Sequence, residues 1–185
     1  MYARCSSFIA TSLDGFISRP DGAIDWLDEA NKVVPAGEDC GYSDYVASVD
    51  AIVMGRHTFE RVLSFDTWPY GDVPLYVLSA SLQSLPTGTP CTVRLHTCAP
   101  RELAALAWRQ GHRHLYVDGG QTIQRFVADG LLDEITITVI PVLLGAGRSL
   151  FGPLPQSAVW LQHLASRVFP FGFVQNRYAL TREGT

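Results

Sequence analysis

Short apolar runs, each stopped by a glycine or a hydroxyl residue and followed by a segment of helical period, recur along this chain. "DAIVMG" (50–55) runs into "RHTFERVLSF", and "HLYV" (114–117) runs through "DGG" into "QTIQRFVADG". A continuous apolar run of this length suits a strand buried on both faces, and the 3.6-residue period that follows suits a helix laid back across it. "RCSSFIATS" (4–12), "PLYVLS", "CTVRLHT" and the long "DEITITVIPVLL" read as further strands, and "YSDYVASV" as a helix. "PRELAALAWRQG" opens on proline and stops at glycine, as a helix should. "VWLQHLASRVF" and "FVQNRYAL" flank "PFG" and read as a closing hairpin, whereas "LDGFISRPDGAIDWL" holds two Asp-Gly turn signals and reads as an irregular loop. The order β-α-β-α-β-β-α-β-α-β-β-β implies an α/β fold: a mostly parallel sheet with helices on both faces and an antiparallel hairpin at one edge.

At 185 residues, 47% hydrophobic and 17% charged, the chain can bury a full core and is expected to form one domain. It has no run of about eighteen apolar residues, and "MYARCSSFIATSLDG" lacks the segments of a secretory signal, so cytoplasm is the expected location. The four cysteines form no C-x-x-C pair and the five histidines no H-E-x-x-H; buried thiols are expected, with no metal. A net charge of -4 without a basic stripe argues against nucleic acid or an anionic membrane as partner and leaves small molecules.

In such a sheet, ligands gather beyond the carboxyl ends of the strands. Three segments share that position. In "MGRHT", Gly55 ends a strand and Arg56, His57 and Thr58 open a helix, so free N–H groups, a helix dipole and a guanidinium would attract phosphate; a solvated Arg56 with Thr58 as a cap is the plainer alternative. "VLSAS" ends a strand in hydroxyls that would contact a phosphate or ribose, or simply form a serine-rich turn. In "YVDGGQTIQRF", Gly119 and Gly120 allow a diphosphate to approach the main chain while Gln121, Thr122 and Ile123 start the next helix; a tight strand-to-helix turn uses the same pair. There is no G-x-G-x-x-G fingerprint.

"MGRHTFE", "YVLSAS", "YVDGGQTIQRF", "ITITVIPVLLGAGRSLF" and the early "SLDGFISRPDGAIDWL" together resemble the dihydrofolate reductase superfamily, in particular the bacterial branch with the reductase domain of riboflavin biosynthesis. The resemblance runs in order from about Arg4 to Leu180. It implies a central eight-stranded, mainly parallel sheet and an NADPH-dependent reductase of a pterin- or pyrimidine-like heterocycle or a sugar-linked intermediate such as the phosphoribosylaminouracil of the riboflavin pathway. Carried over by position, it implies that Ala10, Thr11 and Ile17 border the nicotinamide beneath a loop running from Leu13 to Trp26. Gly55, Arg56, His57 and Thr58 would hold the diphosphate and 2′-phosphate; Leu78, Ser79 and Ala80 would line the adenosine side; Gly119 to Ile123 would cradle the diphosphate. Arg56 favours NADPH over NADH, because a second anionic group rewards a guanidinium. Relatives of this branch commonly pair, which implies a homodimer.

Relatives also place an acid on the helix before the "MGR" strand. That position falls on Asp39 counted back from Met54 and on Asn31 counted forward from Trp26. Asp118, just before the glycine pair, matches an acid of the riboflavin-pathway branch and is the first choice for proton delivery, with its pKa raised by burial; Asp44 is the second choice, and each has a structural alternative as a turn or cap residue. Thr138 matches a hydroxyl position that faces the substrate, and Trp26 would anchor the lid over it or belong to the core. Trp68 and Tyr70 would wall the outer pocket, and Arg148 would meet an anionic substrate group. A nucleotide-binding module without turnover and a ligand-free dimer subunit remain the alternatives.

Overall fold

The structure is a computed structural model that describes residues 1–153 and 158–181. The chain enters as β1 (Arg4–Ser12), the short β2 (Phe16–Ser18), α1 (Asp25–Asn31) and α2 (Tyr42–Ala47). It continues through β3 (Ala51–Gly55), α3 (Arg56–Leu63), β4 (Leu75–Leu78), β5 (Val93–His96), α4 (Pro100–Arg109), β6 (His114–Asp118) and α5 (Gly120–Ala128). β7 (Glu134–Ile140), the two-residue β8 (Arg148–Ser149), β9 (Leu161–Val168) and β10 (Val174–Leu180) follow. The eight-stranded sheet runs β5-β4-β3-β6-β1-β7-β10-β9, parallel from β5 to β7 and antiparallel through β10 and β9, as the alternating pattern implied.

The strands read as apolar runs lie at the centre because only there is apolar surface covered twice. Ala51, Ile52, Val53 and Met54 of β3 are each fully buried. Successive side chains of a strand point to opposite faces, so Ala51 and Val53 pack with Ile123, Phe126 and Leu103 of α5 and α4, whereas Ile52 and Met54 pack with Phe59 and Val62 of α3. Each such phenylalanine contributes about 2–3 kcal/mol of burial. Proline opens α4, and the Glu102 carboxylate accepts the Ala99 N–H at 3.1 Å.

Three elements depart from the sequence expectation. The early "irregular loop" contains α1, whose Trp26 packs with Ile140, Phe169 and Phe173 in a third, smaller core. β2 and β8 pair in a separate two-stranded sheet, too short to carry a period. The long strand expected to reach Leu144 stops at Ile140, because Pro141 has no N–H to continue a ladder. The closing hairpin forms as read, with Phe169 N–H donating to Phe173 O at 2.9 Å and Gly172 at φ +100°.

One feature of the sheet creates the site. β1 pairs with β6 only as far as Ser6 opposite Tyr116, yet with β7 as far as Ser12 opposite Ile140. The end of β1 therefore leaves β6, and a slot opens between them at the carboxyl edge of the sheet.

Candidate active site

The slot widens into a cavity of about 940 Å³. β4, β3 and β6 are neighbours, so the three turns singled out from the sequence stand side by side. Gly55, His57 and Thr58 at the start of α3, and Gly119, Gly120, Gln121 and Thr122 at the start of α5, all line the cavity, as do Ala10 and Ile17. The first N–H groups of any helix lack intrahelical partners, so two helix dipoles converge here. Thr11 and Ile123 are buried outside the lining, Ile123 as core.

The residues expected to line an adenosine are less well gathered. Arg56 does not line the cavity; it donates from Nε to Glu60 Oε1 at 2.6 Å and extends Nη1 to within 3.4 Å of Ser81 Oγ, bridging the α3 and β4 turns. Leu78, Ser79 and Ala80 do not line the cavity; Ser79 Oγ instead accepts the N–H groups of Ser81 and Leu82, closing its own turn.

What approaches the glycine pair most closely is protein. Gly119 has φ +87°, and a Cβ there would lie 2.1 Å from Thr58 Oγ1; a Cβ on Gly120 would lie 2.6 Å from Ile17 Cδ1. A Cβ on Gly55 would lie 2.9 Å from Thr122 Oγ1. The glycines thus let the two helix starts interlock, hydroxyl against main chain, and seat Ile17 of the lid. The close approach to the main chain expected of a diphosphate is made here by protein side chains.

The segment from Leu13 to Trp26, expected to form a lid, is tied down at several points. The Asp14 carboxylate accepts the Ser12 hydroxyl at 2.6 Å and the Gly145 N–H at 2.8 Å, with the Leu144 N–H at 3.1 Å. The Ser12 hydroxyl foremost, and then these N–H groups, hold its pKa below the usual carboxylate range. β2 pairs with β8, and Arg148 Nε donates to Pro20 O at 3.3 Å while its side chain lines the cavity.

Asp118 forms the polar floor. It keeps a partly exposed edge on the cavity, while burial among protein atoms pushes its pKa up to about 6 against the Gly119 N–H and the Tyr116 and Tyr70 hydroxyls. Among the described residues no cation acts on it. Tyr42 faces the same space, and burial, followed by the Asp118 charge, raises its phenol to about 12. On the other side of β1, Thr138 lines the cavity and accepts Gln175 Nε2 at 2.9 Å; the same amide nitrogen reaches Cys40 O at 3.0 Å. Because a backbone carbonyl only accepts, that contact sets the amide's orientation.

The remaining acids separate. Asn31 and Asp39 both line the cavity, but Asp39 accepts the N–H groups of Gly41 and Ser43, and the Ser43 contacts keep its pKa low; it caps α2. Asp44 does not line the cavity. It stands two residues beyond Tyr42, about 200° around the helix, and borders a second, smaller cavity with Arg4, Arg167 and Arg177. Trp26 is only 4% exposed and its pocket role passes to Ile24, Leu27 and Asn31 of the same segment. Tyr70 lines the cavity as read, with Trp68 stacked edge-on behind it at 5.5 Å. Tyr42, Tyr116 and Gln175 were not singled out from the sequence. The two-residue strand period puts Tyr116 on the same face as Asp118, a signal that was available; nothing local marks Gln175.

The sequence profile of the RibD C-terminal domain matches residues 5–174. The chain is 38% identical to the Bacillus subtilis protein YwjB, itself uncharacterised, over 80% of this chain and 82% of that one. Among solved structures it superimposes on a putative riboflavin biosynthesis protein from Shewanella sp. PV-4 with a TM-score of 0.89 and 39% identity, covering 98% and 100% of the two chains. Dihydrofolate reductase from Enterococcus faecalis complexed with NADP(H) shares the fold at a TM-score of 0.63 and 15% identity, over 98% and 100%. With its slotted eight-stranded sheet and interlocked helix starts, the chain has the fold of dihydrofolate reductase and belongs to the RibD C-terminal domain family.

Proposed function

We propose that this protein is an NADPH-dependent reductase of a small heterocyclic or sugar-linked substrate. The observation that carries the reading is the placing of a part-exposed acid, Asp118, beside two converging helix starts in the lining of one cavity. The donor set fits a phosphorylated dinucleotide. The starts of α3 and α5, with Thr58, Thr122 and His57, line the cavity, and Arg56 lies next in the chain to His57, outside the lining. The volume also suits a nicotinamide together with a small substrate.

When bound, NADPH supplies the hydride. The chain's own residues orient and exclude: Ala10 and Ile17 border the ring position, the lid closes off water, and Thr138 presents a hydroxyl across the slot from Asp118. Asp118 supplies the proton to the nitrogen or oxygen of the bond being reduced.

The test is binding followed by turnover. Tight NADPH binding, read by nicotinamide fluorescence, and loss of nicotinamide absorbance with a member of a panel of pterins, phosphoribosylaminouracils and quinones are expected. Tight binding without oxidation of any would identify a nucleotide-binding module; no binding would end the reading.

The same proposal pairs two copies along β9. All eight of its residues are exposed, Val168 at 73%, with Trp160 beside them at 78%, and an open apolar edge strand calls for a partner. Sedimentation should show a dimer that L164E or V168E dissociates; a monomeric wild type would remove this part alone.

A further inference from the structure

The second cavity, beside α2, takes no part in the reductase reading. Its volume is about 470 Å³, enough for a small organic molecule. Strand register builds its floor. Phe8 of β1, Thr136 of β7, Arg177 of β10 and Ala165 of β9 are successive cross-strand partners, so they form one row on one face of the sheet, and all four line the cavity.

Two polar side chains in that row are left without hydrogen bonds. Thr136 is only 7% exposed, yet its hydroxyl has no partner among the described residues, where a buried hydroxyl normally finds one. Arg177, directly opposite, makes no side-chain hydrogen bond among them either. The carboxylate within ion-pairing distance of it is Glu134, whose Oε1 lies 3.7 Å from Arg177 Nε, too far for a hydrogen bond; Glu134 Oε2 accepts Arg4 Nη2 at 2.8 Å. Opposite side chains on paired strands start about 5 Å apart, so the hydroxyl and the guanidinium can reach one point. Ala165, on the other side of Arg177, adds only a methyl to the row.

Charge selects the ligand. The lining holds three guanidiniums, those of Arg4, Arg167 and Arg177, against two carboxylates, Glu134 and Asp44. Arg167 donates from Nη2 to Glu38, which is outside the lining, at 3.1 Å. All three arginine side chains are half-exposed. Ion pairs this wet hold their partners weakly, so an incoming oxyanion can recruit the guanidinium nitrogens that the carboxylates leave unused.

We propose that this cavity is a second binding site, for a small organic oxyanion whose carboxylate or phosphate is held by the Arg177 guanidinium and the Thr136 hydroxyl and whose apolar part lies against the Phe8 and Tyr45 rings. The site adjoins the first cavity through one amide. Gln175 lines the second cavity and donates Nε2 at 2.9 Å to Thr138, which lines the first. An occupant beside Arg177 is thereby placed to act on the first cavity as an effector.

The experiment follows the amide signals of the isotopically labelled whole protein as phenyl phosphate, benzoate or inorganic phosphate is added. Saturable shifts at Thr136, Ala165 and Arg177 are expected with phenyl phosphate or benzoate, at lower concentration than with inorganic phosphate, and the tighter of the two organic probes identifies the oxyanion. R177Q is expected to weaken that probe roughly tenfold, and T136V, which keeps the shape and removes the hydroxyl, roughly threefold to fivefold. The absence of a saturable shift at these residues with all three probes at millimolar concentration overturns the proposal. So does an affinity unchanged in either variant, which would identify an adventitious ion only. Shifts confined to residues 119–122 would put the probe in the first cavity and overturn it as well. Should R177Q fail to fold, T136V decides by the same criterion. The Gln175 side-chain amide should shift with the same midpoint; a stationary signal while Thr136 saturates would overturn the effector role. No nicotinamide is used, so failure here and failure to bind NADPH are separate results.

Discussion

Replacing Gly119 by alanine tests whether the glycine pair exists for helix interlocking. Gly119 sits at φ +87°, ψ 134°, a region that costs a residue with a Cβ about 1–3 kcal/mol. The added methyl would lie 2.1 Å from Thr58 Oγ1 and 3.2 Å from Thr58 Cβ, contacts that a β-branched side chain at a helix start cannot easily relieve; overpacking of this kind costs about 1–3 kcal/mol more. G119A should therefore lose at least about 2 kcal/mol, at roughly 2–4 °C of Tm per kcal/mol for a chain of this size. The two contributions separate in a double-mutant cycle read by denaturant melts. T58A removes the hydroxyl contact but not the backbone strain, so the cost of G119A should shrink by about 1 kcal/mol in the T58A background. An equal loss in both backgrounds would refute the steric argument, and a G119A protein as stable as wild type would refute both. Because the same contact sets α3 and α5 side by side, folded G119A should also bind NADPH more weakly than T58A does.

Three further outcomes follow from the site. Burial raises the folded Asp118 pKa from 3.8 to about 6, so the cost of ionising it builds up as pH rises through that window and is complete above it. D118N should accordingly be more stable relative to wild type at pH 8 than at pH 4.5, by about 1–2 kcal/mol given the residue's partly exposed edge; a difference independent of pH would contradict the assignment. R56A should weaken NADPH about tenfold and NADH little, as one charge-assisted contact at an exposed position predicts; equal losses would remove the preference for NADPH. D14A should speed hydrogen exchange at the Leu144 and Gly145 amides, which donate to Asp14, while leaving protection of the central strands unchanged; unchanged exchange at those two amides would show that Asp14 does not tie down this segment.

Much of this architecture was legible in the residues. Runs such as Ala51–Gly55, buried on both faces, and helices that start at proline and stop at glycine are local patterns, and alternating them leaves a parallel sheet as the arrangement that covers every apolar face. The meeting of the helix starts was legible for the same reason: glycine at a strand end followed by helical period places helix N-termini at one edge of the sheet, wherever the chain wanders in between. Asp118 was found because it adjoins that signal. Only the tertiary structure decided the rest. A seven-residue helix such as α1 owes its existence to the pocket that receives Trp26, so its period was too short to read as one. Asp44 and Asp39 look equally acidic in the sequence, and only the rotation of α2 turns one away and makes the other a cap. The phenols that line the cavity with Asp118 come from residues 42, 70 and 116, and Thr138 meets Gln175 across two strands. No local period encodes such contacts, because their proximity arises where β1 parts from β6 and distant segments close over the gap.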